Sequence, residues 1–357
     1  MDSSQNIFIN KILVAAAKRR ASTVHLTVGA YPSFRIDDEL VELKDETVIT
    51  NDFVAKLAEG WLDEDQKKEL IANKEIILVK EIAKKFRIKI NFFYQKKFLS
   101  SSWFLIPSQI PPLANLGLPK SVHNLIAKKS GLIIIAGPFG SGRTTTMASM
   151  VEEINNNRKE NIITIEKPIE YLFINKKSLI EQRQVGRDVN SFTAALKSAQ
   201  QSDVDAIAVG ATMEKGVIPA VVDFANSGRL AFMVMNTSSV IQSIEEILSV
   251  FPTPEKQQAQ LKLSESLQAV VSQRLVPRTG GGQVLAAEVL IVTEAVRSLI
   301  RDGRVKQIFT ILQSSRGEGM IELDQSLSQL VKSGTVLADQ AVIFAKDQET
   351  FRAKTKT

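Results

Sequence analysis

The residues with the clearest chemical capacity lie together: Gly137-Pro138-Phe139-Gly140-Ser141-Gly142-Arg143-Thr144, with Thr145 following. They match G-x-x-x-x-G-K-[ST] at every fixed position but one, Arg143 replacing lysine. In such a loop, glycines let backbone N–H groups converge on phosphate oxygens, and the following helix adds the positive end of its dipole. Residues 137–145 are therefore the expected nucleotide-binding segment, with ATP or ADP as ligand and the Thr144 hydroxyl on Mg²⁺. A lysine ammonium is a compact point charge and guanidinium a larger planar fork, so the reading is a phosphate site with weakened grip.

The loop needs a strand before it and a helix after it, and the sequence supplies both. Leu132–Ala136 is purely apolar, and Thr144–Asn155 repeats apolar residues at helical spacing, with Met147, Met150, Val151 and Ile154 as core. Further apolar runs at Ile162–Ile165, Ala206–Val209 and Leu230–Met235, with a helical pattern at Ser191–Gln201, predict a parallel sheet covered on both faces. A segment at Leu285–Val292 follows a glycine-rich turn, and helices are expected at Ala295–Asp302 and Leu323–Ser333.

Upstream the pattern is α+β. Residues 5–20 form an amphipathic helix with Ile9, Ile12, Leu13 and Ala16 on one face. Val24–Val28, Ser33–Ile36 and Phe86–Phe93 alternate as half-buried strands do. From Pro107 to Pro119 there are four prolines, one glycine and no charge, which reads as a linker. The expected organisation is a domain over 1–106, a linker over 107–120, an α/β P-loop domain over 121–346 and a frayed basic tail over 347–357.

Composition narrows the function classes. The 357 residues contain no cysteine and only His25 and His123 as imidazoles, which excludes disulfides and a thiol nucleophile and argues against zinc. No apolar run approaches the roughly 20 residues of a membrane span, so a soluble cytoplasmic chain is expected. The net charge of +6 permits anionic partners. Nucleic acid is disfavoured because no aromatic–basic platform is visible.

Several further segments carry a family resemblance: Thr164–Glu170 (TIEKPIE), Gln182–Asp188 (QRQVGRD), Leu263–Gln273 (LSESLQAVVSQ) and Ala295–Arg301 (AVRSLIR). In this order and spacing, the chain from about residue 131 to 327 resembles the hexameric type IV pilus retraction ATPases, the PilT type of the secretion-motor superfamily. The resemblance implies a RecA-like P-loop domain preceded by a smaller PAS-like α+β domain. It implies a six-subunit ring on the inner face of the cell membrane, against a pilus platform protein, with ATP hydrolysis driving retraction.

The resemblance also marks departures. Glu166 matches the glutamate that orients the attacking water, but Lys167 stands where an acid is expected. An adjacent cation there is expected to lower the proton affinity of Glu166. The Walker B glutamate is replaced by Ala211, the two histidines of the histidine box by Arg229 and Asn236, and an N-terminal-domain arginine by Phe104. With the catalytic boxes altered and the scaffold segments kept, the expectation is an impaired or regulatory paralogue of the retraction motor. It would form a homo-hexamer or join an active paralogue in a mixed ring. The alternative is a slow but active motor.

Overall fold

The structure is a computed structural model that describes residues 3–37, 39–83 and 85–355. It separates into two compact units, 1–109 and 110–357. No helix among the described residues is long and apolar enough to cross a membrane.

In the first unit, six strands form an antiparallel sheet: β1 Thr23–Leu26, β2 Ser33–Ile36, β3 Glu39–Glu42, β4 Glu75–Ile82, β5 Phe86–Gln95 and β6 Phe98–Ile106. Their order is β3-β2-β1-β6-β5-β4. Alternation along β5 sends Ile88, Ile90 and Phe92 into the core, where Trp103 of β6 packs 5.3 Å from Trp61. The helix Ser3–Lys18 contributes Ile9, Ile12, Leu13 and Ala16 to that core, as their spacing predicts. A second helix, Asn51–Trp61, starts at Thr50, whose hydroxyl accepts from Phe53 N at 3.2 Å.

The second unit carries a seven-stranded sheet of β7 Gly131–Ala136, β8 Asn161–Glu166, β9 Leu179–Gln184, β10 Ala206–Val209, β11 Leu230–Met235, β12 Leu267–Pro277 and β13 Gln283–Ile291. The order is β13-β12-β7-β11-β10-β8-β9, parallel throughout except for the antiparallel edge pair β12–β13. Apolar clusters cover both faces, which is why β7, β10 and β11 read as unbroken apolar runs. The sheet therefore has the predicted α/β, parallel-core class.

Several elements escape the sequence patterns, three of them in the second unit for clear reasons. Strand β9, LIEQRQ, is a polar edge whose only buried residue is Ile180. Strand β12 follows the helix Lys256–Ser266 with no intervening breaker. The helix Val217–Asn226 is apolar on several sides because it is packed on several sides.

Two expected boundaries also differ. Leu113 and Leu118 are buried with Val122, and Ser149 Oγ donates to Pro111 O at 2.7 Å, so the proline-rich stretch from residue 110 onward is held against the second unit. The expected frayed tail is instead the helix Gln348–Thr355, capped by Asp347, which accepts from Thr350 N at 3.0 Å. Phe351 is only 2% exposed and joins Val276, Leu327 and Val342. One aromatic in a socket outweighs the basic, polar composition of its neighbours; Lys356 and Thr357 lie outside the described residues.

Candidate functional site

Parallel pairing puts the carboxyl ends of β7, β11, β10 and β8 side by side, with Ala136 opposite Met235, Met233 opposite Val209, and Val209 opposite Ile165. Ligands in open α/β sheets bind at this edge. The segments that leave it begin at Gly137, Asn236, Gly210 and Lys167.

Gly137, Gly140 and Gly142 have φ of 151°, 79° and 83°. Gly137 admits no side chain: a Cβ would lie 2.3 Å from Ser141 Oγ and 2.6 Å from Gln273 O. Gly142 opens the 15-residue helix Arg143–Asn157, whose first N–H groups have no intrahelical acceptor. Gln273 Nε2 donates to Ser141 O at 2.6 Å and clamps the loop from β12. Ser141 Oγ is buried without a partner among the described residues, and the space beside Gly140 is open. This glycine cradle, with its orphan hydroxyl and helix terminus, fits a phosphate chain. Pro138 and Phe139 form its exposed outer rim. Thr144 is half-buried on the first turn, and Thr145 Oγ1 lies 2.9 Å from Tyr171 Oη.

The cation of the loop is engaged elsewhere. Arg143 is buried, and its Nη1 donates to Met235 O at 2.7 Å and to Asn236 Oδ1. Burial holds its pKa below the usual guanidinium value, opposed by Glu170. Arg143 and Asn236 thus meet, with Asn236 supplying the acceptor that Arg143 uses.

Glu166 ends β8 and is 4% exposed, with Thr164 Oγ1 donating to it at 2.8 Å. Burial first, and the nearby Glu170 second, push its pKa up to about 7, against the Thr164 hydrogen bond. The expected lowering by Lys167 is not found. Lys167 is exposed and its charge acts on Glu214 instead. Gly210 N donates to Ile165 O at 2.9 Å, which brings the exposed Ala211 beside the end of β8. Glu214, three residues further on, is already committed: it accepts from Phe192 N and Thr193 N, both at 3.0 Å, at the start of the helix Phe192–Gln200.

Arg229 does not reach this edge. It lies at the opposite end of β11, with its guanidinium 4.0 Å from the centre of the Phe224 ring. It donates to Ala199 O and Gln200 O at 3.2 and 3.3 Å, at a helix C-terminus. The residues paired as one histidine box therefore have separate roles, and only Asn236 is at the loop. Phe104 belongs to the first unit, where Lys89 lies 5.2 Å from its ring centre. Tyr171 was not anticipated as a site residue; its only signal was an isolated aromatic five residues after Glu166.

The raised pKa has a consequence for stability. The folded Glu166 keeps its proton up to about pH 7, while the unfolded side chain releases it near 4.5. Between these values the folded chain binds more protons at Glu166, so the contribution of this group to stability is full below pH 4.5 and is lost as pH rises towards 7, by about 3 kcal/mol. Urea unfolding across that window shows the decline, and Glu166→Gln flattens it. A parent profile as flat as that of the variant contradicts the assignment.

Residues 115–281 match the family model described as Type II/IV secretion system protein. The chain is 34% identical over 343 residues to the type IV pilus retraction ATPase PilT of Pseudomonas aeruginosa, covering 96% of this chain and 99% of that protein. It is 29% identical to the type IV pilus ATPase PilU of the same organism, covering 97% and 91%. A crystal structure of the pilus retraction motor PilT with bound ADP superposes with a TM-score of 0.81 at 36% identity, covering 95% of this chain and 97% of that one.

Proposed function

The chain belongs to the PilT-type family of type IV pilus retraction ATPases, and on that premise we propose that it is a pilus motor subunit that binds nucleotide but hydrolyses it poorly. The observation that carries this reading is the diversion of Arg143 into Met235 O and Asn236 while the glycine cradle stays intact. The cradle would hold the phosphates of ATP or ADP through its backbone and helix terminus, a reading supported by the ADP bound in the similar PilT structure. Thr144 would offer one ligand to Mg²⁺, with phosphate oxygens and water completing the shell. Ala211 can neither ligate metal nor polarise water. The family architecture supports a hexameric ring on the cytoplasmic face of the inner membrane, against a platform protein. In that ring the chain would act alone or beside an active paralogue.

A second reading, a slow but active motor, draws on Glu166, whose pKa of about 7 suits a general base near neutral pH. Calorimetry with Mg-ATP and Mg-ADP, followed by phosphate-release kinetics, separates the two. The expected result is saturable binding with turnover at least ~100-fold below that of an active PilT assayed in parallel. Comparable turnover overturns the impaired reading, and absence of binding overturns the cradle reading.

A further inference from the structure

We propose that a cavity of about 560 Å³ beside the nucleotide edge, between Arg274, Lys306, Phe309 and Lys346, binds a small phosphorylated ligand carrying a planar ring, of mononucleotide type. Nothing in the nucleotide cradle lines this space. Ser238, Ser239, Ile241, Leu323, Phe344 and Ala345 complete its lining. The volume lies within the range of small-molecule sites, roughly 300–1,000 Å³.

The charge balance favours an anion. Arg274, Lys306 and Lys346 line the cavity with no carboxylate among its lining residues. The nearby carboxylates are already engaged: Glu288 accepts from Lys346 Nζ and from Val240 N at 2.9 Å, and Asp324 accepts from Lys346 N and Asp347 N at 2.7 and 3.1 Å. Arg274 is half-buried and spends two N–H donors on Gln273 O and Ser238 O, at 3.0 and 2.6 Å. Guanidinium has five, so a fork of donors stays available. Lys306 is exposed, and its ammonium has no partner among the described residues. Phe309 and Phe344 supply the apolar, flat part of the wall, with Lys346 Nζ 5.9 Å from the centre of the Phe309 ring.

The cavity is also wired to the cradle. Arg274 follows Gln273, whose side chain clamps the phosphate loop through Ser141 O. Its other contact, Ser238 O, lies two residues beyond Asn236, the acceptor of Arg143. An anion that draws the Arg274 guanidinium away from Ser238 O loosens the segment that positions Asn236. The cavity is thus placed to change how firmly Arg143 is held.

The test is calorimetric titration of the full chain with AMP, which lacks the β- and γ-phosphates, and with ribose 5-phosphate, which lacks the ring. The expected result is AMP binding at one site per chain, with ribose 5-phosphate and the Phe309→Ala variant each at least about tenfold weaker. Lys306→Glu, an exposed change, weakens AMP at least about tenfold and leaves ATP affinity unaltered, which also reports an intact fold. Absence of AMP binding, indifference to Lys306→Glu, or equal loss of ATP and AMP in that variant overturns the proposal. Equal affinity for ribose 5-phosphate overturns the assignment of the ring.

Discussion

A chain carrying Arg143→Lys, Ala211→Glu and Asn236→His together releases phosphate from Mg-ATP at least about 10³-fold faster than the parent chain. The expectation follows from what each parent side chain does. Arg143 spends its guanidinium on Met235 O and Asn236 Oδ1, so its charge is held against the end of β11. Lysine has no fork with which to make both bonds, and its ammonium is released towards the phosphates. Histidine at 236 removes the amide acceptor that holds the arginine. Glutamate at 211 restores a carboxylate beside the end of β8, where Gly210 is hydrogen-bonded to Ile165 O. Each single change is expected to recover little, because the groups act as a unit on one transferring phosphoryl. Adding Glu166→Gln to the triple variant abolishes the gain. A folded, nucleotide-binding triple variant no faster than its parent sinks the account of impairment.

Gly137→Ala costs about 3 kcal/mol or more of stability and removes nucleotide binding, whereas Gly140→Ala in the same loop costs about 1 kcal/mol. The contrast is geometric. A Cβ at Gly137 meets Ser141 Oγ at 2.3 Å and the Gln273 carbonyl at 2.6 Å, and Gln273 lies in the backbone of β12 that pairs with β13. At Gly140 the Cβ meets nothing within 4 Å, leaving only the penalty of a φ of 79°. Thermal unfolding ranks the two variants, and calorimetry with Mg-ADP reads the cradle directly. Equal stability of the two would show that the loop yields more than its close contacts allow.

The two results concern different layers of the site. Backbone shape would decide whether phosphate can enter, and side-chain identity whether it is cleaved. The raised proton affinity of Glu166 belongs to the second layer and comes from burial, against the Thr164 hydrogen bond, with no contribution from its charged neighbour in sequence. Lys167 shows why adjacency in the chain is a poor guide: at a strand end, consecutive residues point to opposite environments.

The sequence by itself determined the phosphate loop and the apolar strands β7, β8, β10 and β11, since each is written locally in residue type and spacing. It also determined the α/β class, because strands buried on both faces must be apolar throughout. Tertiary structure alone decided that Arg143 and Asn236 touch while Arg229 lies at the far end of the same strand, that Phe351 is buried, and that β9 joins the sheet. Those outcomes depend on which distant backbone segments pair. A side chain's partner across a sheet is set by register, and no short window of sequence contains it.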